Sequence, residues 1–139
     1  MDEPKRELVK NWFVKAQHDL DAAKQLSSVE QPLLDVAIYH CQQAAEKAVK
    51  SFLVFHDQEF EKTHDIEDLL SSAIRFDNRL ETFFDSGETL TPYASLYRYP
   101  GTVMEPEKEE FDEALKAAEN VLNFILRLFP ENYLTKELL

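Results

Sequence analysis

His40, Gln43, Lys47 and Lys50 stand three, four and three residues apart, a spacing that lines side chains along one face of an α-helix. Two ammonium groups one turn apart can hold phosphate oxygens, and an imidazole and a carboxamide add directional hydrogen bonds. This face is therefore a candidate anion-binding edge. The competing reading is a solvated surface on which Glu46 and Lys50 form an i, i+4 pair worth only a few tenths of a kcal/mol. Lys62, His64, Arg98 and Tyr99 are further candidates, each with a structural alternative. Thr63 and Asp65 can cap a helix with His64 in support. Tyr97 and Tyr99 can pack, and Arg98 has many acids available to pair with.

Other chemistries find little support. The histidines are His18, His40, His56 and His64, and no two have the i, i+4 spacing of a helical metal site. One Glu-x-x-His match, Glu61 to His64, falls in a polar loop, whereas di-iron bundles use two such motifs on facing helices. With only Gly87 and Gly101 there is no glycine-rich phosphate loop and no nucleophile elbow. Cys41 sits on an apolar helix face, so packing is expected of it rather than nucleophilic attack. No metal and no cofactor is expected.

The formal charge of −12, from 27 acids against 15 bases, repels phosphate at long range and argues against general nucleic-acid binding. Any anion site must be local. The acids at Glu105, Glu107, Glu109, Glu110, Asp112 and Glu113 suit a solvated helix start that complements the helix dipole. A single cysteine excludes an internal disulfide and suits a reducing compartment. The charged N-terminal residues and the lack of any run of ~20 apolar residues give no sign of a signal segment or membrane span. A cytoplasmic location without membrane contact is the expectation.

Positioning these residues requires helices. Val9, Phe13, Ala16, Leu20 and Ala23 alternate in steps of four and three, predicting a helix over 5–27. Leu34, Ile38, Cys41, Ala45, Ala48, Phe52 and Phe55 predict a second over 33–56, with the candidate anion edge roughly opposite this stripe. Phe52 to Phe55 point all round the helix, so that end needs cover from the core or from a second subunit. Residues 57–62 read as a polar loop, and Thr63 or Asp65 as the cap of a short helix carrying Ile66, Leu69, Leu70 and Ile74. Leu80, Phe83 and Phe84 suggest another short helix, stopped near Gly87. Thr91 then Pro92 read as N-cap and first helical position, and Tyr99-Pro100-Gly101 as a change of direction. A last helix from Pro106 carries Phe111, Leu115, Ala118, Val121, Leu122, Ile125 and Leu128, with Pro130 at its end. The sum is an all-α, up-and-down four- or five-helix bundle over residues 1–130, followed by a C-terminal tail, 131–139.

Three segments carry a resemblance. Ala37-Ile38-Tyr39-His40-Cys41-Gln42-Gln43-Ala44-Ala45-Glu46-Lys47-Ala48-Val49-Lys50 resembles the central helix of HEPN domains. Lys62-Thr63-His64-Asp65-Ile66, followed by Leu69, is similar to that family's Lys-Thr-His-Asp segment, and Arg98-Tyr99-Pro100 to its Arg-Tyr-Pro segment. The order agrees over roughly residues 5–130. The resemblance implies a helical bundle that usually forms a homodimer. Some members are ribonucleases or toxins of toxin–antitoxin pairs acting with a small nucleotidyltransferase, while others bind nucleotides or serve as scaffolds without catalysis. The ribonuclease branch has an Arg followed four to six residues later by His, and no Arg here has that spacing. The expectation is a non-catalytic module that binds a nucleotide or phosphorylated ligand, or docks a nucleotidyltransferase partner. Its candidate ligand residues are His40, Gln43, Lys47, Lys50, Lys62, His64, Arg98 and Tyr99. An RNase toxin and a ligand-free dimerisation scaffold are the alternatives.

Overall fold

The computed structural model describes residues 3–101 and 104–134. Among the described residues five α-helices occur, in the order α1 (Glu3–Ser28), α2 (Leu34–Phe55), α3 (Ile66–Ala73), α4 (Phe84–Leu90) and α5 (Lys108–Leu128). Short 3₁₀ turns at Asn78–Phe83 and Thr91–Ala94 flank α4. Among the described residues there is no strand, and no helix is long and apolar enough to cross a membrane. The expected bundle of three long amphipathic helices with shorter ones between them is the observed architecture.

α2 is the axis of the bundle. Fifteen of its 22 residues are buried, including Gln42, Gln43, Glu46 and Lys50. α1 and α5 flank it, and α3 with the loop before it closes a further side. The expected apolar stripe holds, from Leu34 through Ile38, Cys41, Ala45 and Ala48 to Phe52. The expected solvent face behind it does not. A central helix surrounded by its neighbours must bury its polar residues too, which is tolerable only where they are paired.

α2 ends in a Schellman motif. The Gln58 N–H donates to the Leu53 carbonyl at 2.9 Å and the Asp57 N–H to Val54 at 3.0 Å. Asp57 adopts a left-handed φ of 56°, a conformation that Asp tolerates better than most residues. The apolar end of α2 is covered by the chain's own C-terminal residues. Phe55 meets Phe129 at 5.3 Å and Tyr133 at 4.8 Å between ring centroids. Arg6 holds this turn in place, donating to the Tyr133 carbonyl at 2.6 Å and the Asn132 carbonyl at 3.0 Å. Tyr133 and Leu134 are buried, so the packed unit runs past residue 130. The remainder of the expected tail, 135–139, lies outside the described residues.

Two boundary expectations need correcting. Gly87 does not stop a helix but lies buried inside α4. A Cβ there would stand 3.2 Å from Cγ2 of Ile66 and 3.3 Å from Cδ1 of Leu70, so glycine permits the close approach of α4 to α3. Thr91 does not cap its own turn, whose N-cap is Leu90. Its hydroxyl accepts from the Ile66 N–H at 3.0 Å and donates to Glu67 at 2.7 Å. Asp65 is the N-cap of α3, as expected, accepting from the Asp68 N–H at 3.1 Å.

Candidate functional site

Two carboxylates divide the polar residues of α2 between them. The first is Asp19, on the core face of α1 and only 8 % exposed. One oxygen accepts from Nζ of Lys47 at 2.6 Å, and the other lies 2.8 Å from Nδ1 of His40. A carboxylate oxygen accepts, so Nδ1 of His40 is the donor in this contact, and Asp19 fixes the orientation of the ring.

The second is Glu46, which is 3 % exposed. It accepts from Lys50 Nζ at 2.9 Å and Gln42 Nε2 at 3.0 Å, and lies 2.8 Å from Nδ1 of His64. Burial alone would raise its carboxyl pKa, but the hydrogen bonds from Lys50, Gln42 and His64 outweigh that and hold it below the ordinary range. The ammonium of Lys50 lies 5.4 Å from the ring centroids of both Trp12 and Phe60, adding cation–π attraction in a buried setting. Gln42 also donates to the His64 backbone carbonyl at 2.9 Å. The Lys-Thr-His-Asp segment is thus fastened to the central helix.

An open pocket of about 270 Å³ lies where the start of α2 meets the turn after the second 3₁₀ segment. Asp35, Val36, Tyr39, His40, Tyr97 and Arg98 line it. The Arg98 guanidinium carbon sits 4.4 Å from the centroid of the Tyr39 ring, and Tyr39 meets His40 edge-on at 5.5 Å. Among the described residues Arg98 has no ion pair. The turn is anchored by Glu110 on α5, which accepts from Tyr93 at 2.6 Å and from Tyr97 at 2.9 Å. Burial, then the hydrogen bond to Glu110, raises the pKa of both phenols. They stay protonated and keep donating.

The candidate residues therefore do not form one face. His40 and Arg98 share the pocket, and Tyr99, 67 % exposed, stands beside Arg98 at 6.0 Å. Lys47 lies behind His40, bound to Asp19. Gln43 and Lys50 are buried against Glu46, so the Glu46–Lys50 pair is an interior ion pair rather than a surface one. Lys62 is exposed, and His64 has its side chain 63 % exposed with Nδ1 held by Glu46. Cys41 is fully buried, and burial, reinforced by the Glu119 charge, pushes its thiol up to about 12. That suits packing rather than nucleophilic attack. Among the described residues no three His, Cys, Asp or Glu side chains are grouped to hold a metal ion.

Asp19, Asp35, Tyr39 and Glu110 were absent from the candidates. A signal for Asp19 was available: it falls three residues after Ala16 and four before Ala23, a carboxylate on the apolar stripe of α1. Glu110 gave none, because it sits in an acidic run that reads as solvated helix start.

The HEPN domain family matches residues 9–128 of the chain, and the chain belongs to that family. It is 29 % identical over 144 residues to the Methanocaldococcus jannaschii protein named "Putative toxin MJ1304", covering 93 % of each. Its fold is that of ST0689, described as an archaeal HEPN homologue, with a TM-score of 0.68 and 27 % identity over 86 % of this chain and 96 % of that one. It is also that of TT1696 from Thermus thermophilus, with a TM-score of 0.78 and 24 % identity over 87 % and 98 % of the two chains.

Proposed function

We propose that this chain is a HEPN module that binds a nucleotide or other phosphate-bearing ligand in the pocket between the start of α2 and the Tyr97–Arg98 turn. The observation that carries the reading is Arg98: a guanidinium without an ion pair among the described residues, laid over Tyr39 in a pocket shared with His40. In a chain of charge −12, such a cation is a local phosphate anchor. Lys47 and Lys50, candidates for this role by their spacing, are already neutralised by Asp19 and Glu46. They act on the site through His40 and through the rigidity of α2. Calorimetric titration with adenosine monophosphate tests the reading. Binding should weaken at least roughly tenfold in Arg98→Ala, as expected for loss of a charged hydrogen bond. Equal affinity in that variant would remove the site.

A second reading, the RNase toxin of a toxin–antitoxin pair, draws support from the name of the Methanocaldococcus relative and from His40. A base oriented by Asp19 and a phosphate-stabilising Arg98 are the two groups such cleavage needs, here drawn from two segments instead of one motif. Incubation with single-stranded RNA separates the readings. Cleavage lost in His40→Ala supports the toxin, and intact RNA beside measurable nucleotide binding supports the binding module. A nucleotidyltransferase partner and a homodimer rest on the family alone, because the apolar end of α2 is covered within the chain by Phe129 and Tyr133.

A further inference from the structure

Opposite charges line the same small pocket without meeting. Asp35 and Arg98 both face it, yet among the described residues neither forms an ion pair with the other or with a third group. A guanidinium and a carboxylate left apart in one cavity leave room for a ligand with an anion at one end and a hydrogen-bond donor at the other.

The helix sets the distance between those two features. Asp35 is four residues before Tyr39, so the two side chains lie on one face of α2, about one turn or ~6 Å apart along the axis. Arg98 is stacked at the level of Tyr39, and His40 is the next residue. A phosphate held by Arg98 and His40 therefore has Asp35 one turn away, toward the N-terminus of α2. In a nucleotide the group one sugar ring from the phosphate is the pair of ribose hydroxyls, while the base edge lies further out. A carboxylate accepts from such hydroxyls, the use that dinucleotide-binding folds make of an acidic residue. The pocket of about 270 Å³ is near the lower end of the range for small-ligand sites, which suits a phosphate and sugar more than a whole buried nucleotide. Asp35 also stands in the first turn of α2, where a carboxylate favours the helix dipole. That role alone would show in stability and not in ligand choice.

Resting on the phosphate-site reading above, we infer that Asp35 reads the ribose, making this a site for ribonucleotides in preference to their deoxy counterparts. The test compares adenosine monophosphate, its 2′,3′-dideoxy analogue and inorganic phosphate by calorimetry, on the wild type and on Asp35→Ala. Thermal unfolding serves as the check that the variant is folded. The wild type should prefer the ribonucleotide by roughly tenfold, the scale of one hydrogen bond to a charged group. Asp35→Ala should lose that preference while retaining its affinity for the dideoxy analogue. Equal wild-type affinity for the two nucleotides, or a preference that survives in Asp35→Ala, overturns the inference and leaves the phosphate site standing. Failure of all three probes to bind the wild type overturns both.

Discussion

Glu46 and His64, eighteen positions apart, meet at 2.8 Å, and Lys50 closes on the other oxygen of the same carboxylate at 2.9 Å. The central helix and the loop leading into α3 are thereby tied together by one buried anion. Removing Glu46 would leave Lys50 as an uncompensated charge between Trp12 and Phe60. Glu46→Ala is expected to cost about 3–5 kcal/mol, the range for breaking a buried pair from one side. Replacing both partners, as in Glu46→Gln with Lys50→Met, should recover much of that loss. Urea unfolding measures it, and a single variant as stable as the wild type would place this pair in solvent.

Acid should lower stability in two pH windows. His56 stacks on Phe76 at 4.4 Å with the rings 8° from parallel, and burial, with the Lys5 charge, lowers its pKa below 6.5. The unfolded chain therefore takes up that proton first, and stability begins to fall below about pH 6.5. Glu46 is also held below its ordinary 4.5. Its contribution is fully present above that value and is lost as pH falls through the folded value. Denaturation midpoints collected from pH 8 to 3 should show both windows. Glu46→Gln should flatten the lower one alone, and parallel profiles for the two proteins would count against the assignment.

Gly87 makes a sharper packing test. Alanine in a helix interior gains up to about 1 kcal/mol over glycine, but its Cβ would press on the Ile66 and Leu70 methyls at 3.2 and 3.3 Å. Gly87→Ala should fall within about 1 kcal/mol of the wild type, while Gly87→Leu should lose about 1–3 kcal/mol through overpacking. A leucine variant that melts at the wild-type temperature would show that α3 and α4 are not in close contact.

The helices were legible because periodicity reports directly on which face is buried. Val9, Phe13, Ala16 and Ala23 on α1, and Phe111, Ala118, Val121 and Ile125 on α5, are all in the core. The polar face of α2 misled for a physical reason. Periodicity locates an apolar stripe but is silent on how many neighbours a helix has, so the Gln43 and Lys50 of a central helix look like those of a surface one. Lys47 and Glu46 also take partners from other segments, Asp19 twenty-eight residues before Lys47 and His64 eighteen after Glu46, where no local spacing can reveal them. The resemblance pointed to the segments that carry His40 and Arg98, which line one pocket. It could not say that Tyr39 and Arg98, far apart in sequence, would stack in one pocket.

In the proposed site, phosphate-bearing ligands enter beside Arg98 and His40 rather than at the lysines of α2 or at the Lys62–His64 loop. Mapping backbone amide shifts by NMR during a titration with adenosine monophosphate tests it most directly. The expected result is a set of saturable shifts at Asp35, Tyr39, His40 and Arg98, lost in Arg98→Ala and weakened by added salt. Saturable shifts confined to Lys62 and His64, or no saturable shifts anywhere, would contradict it.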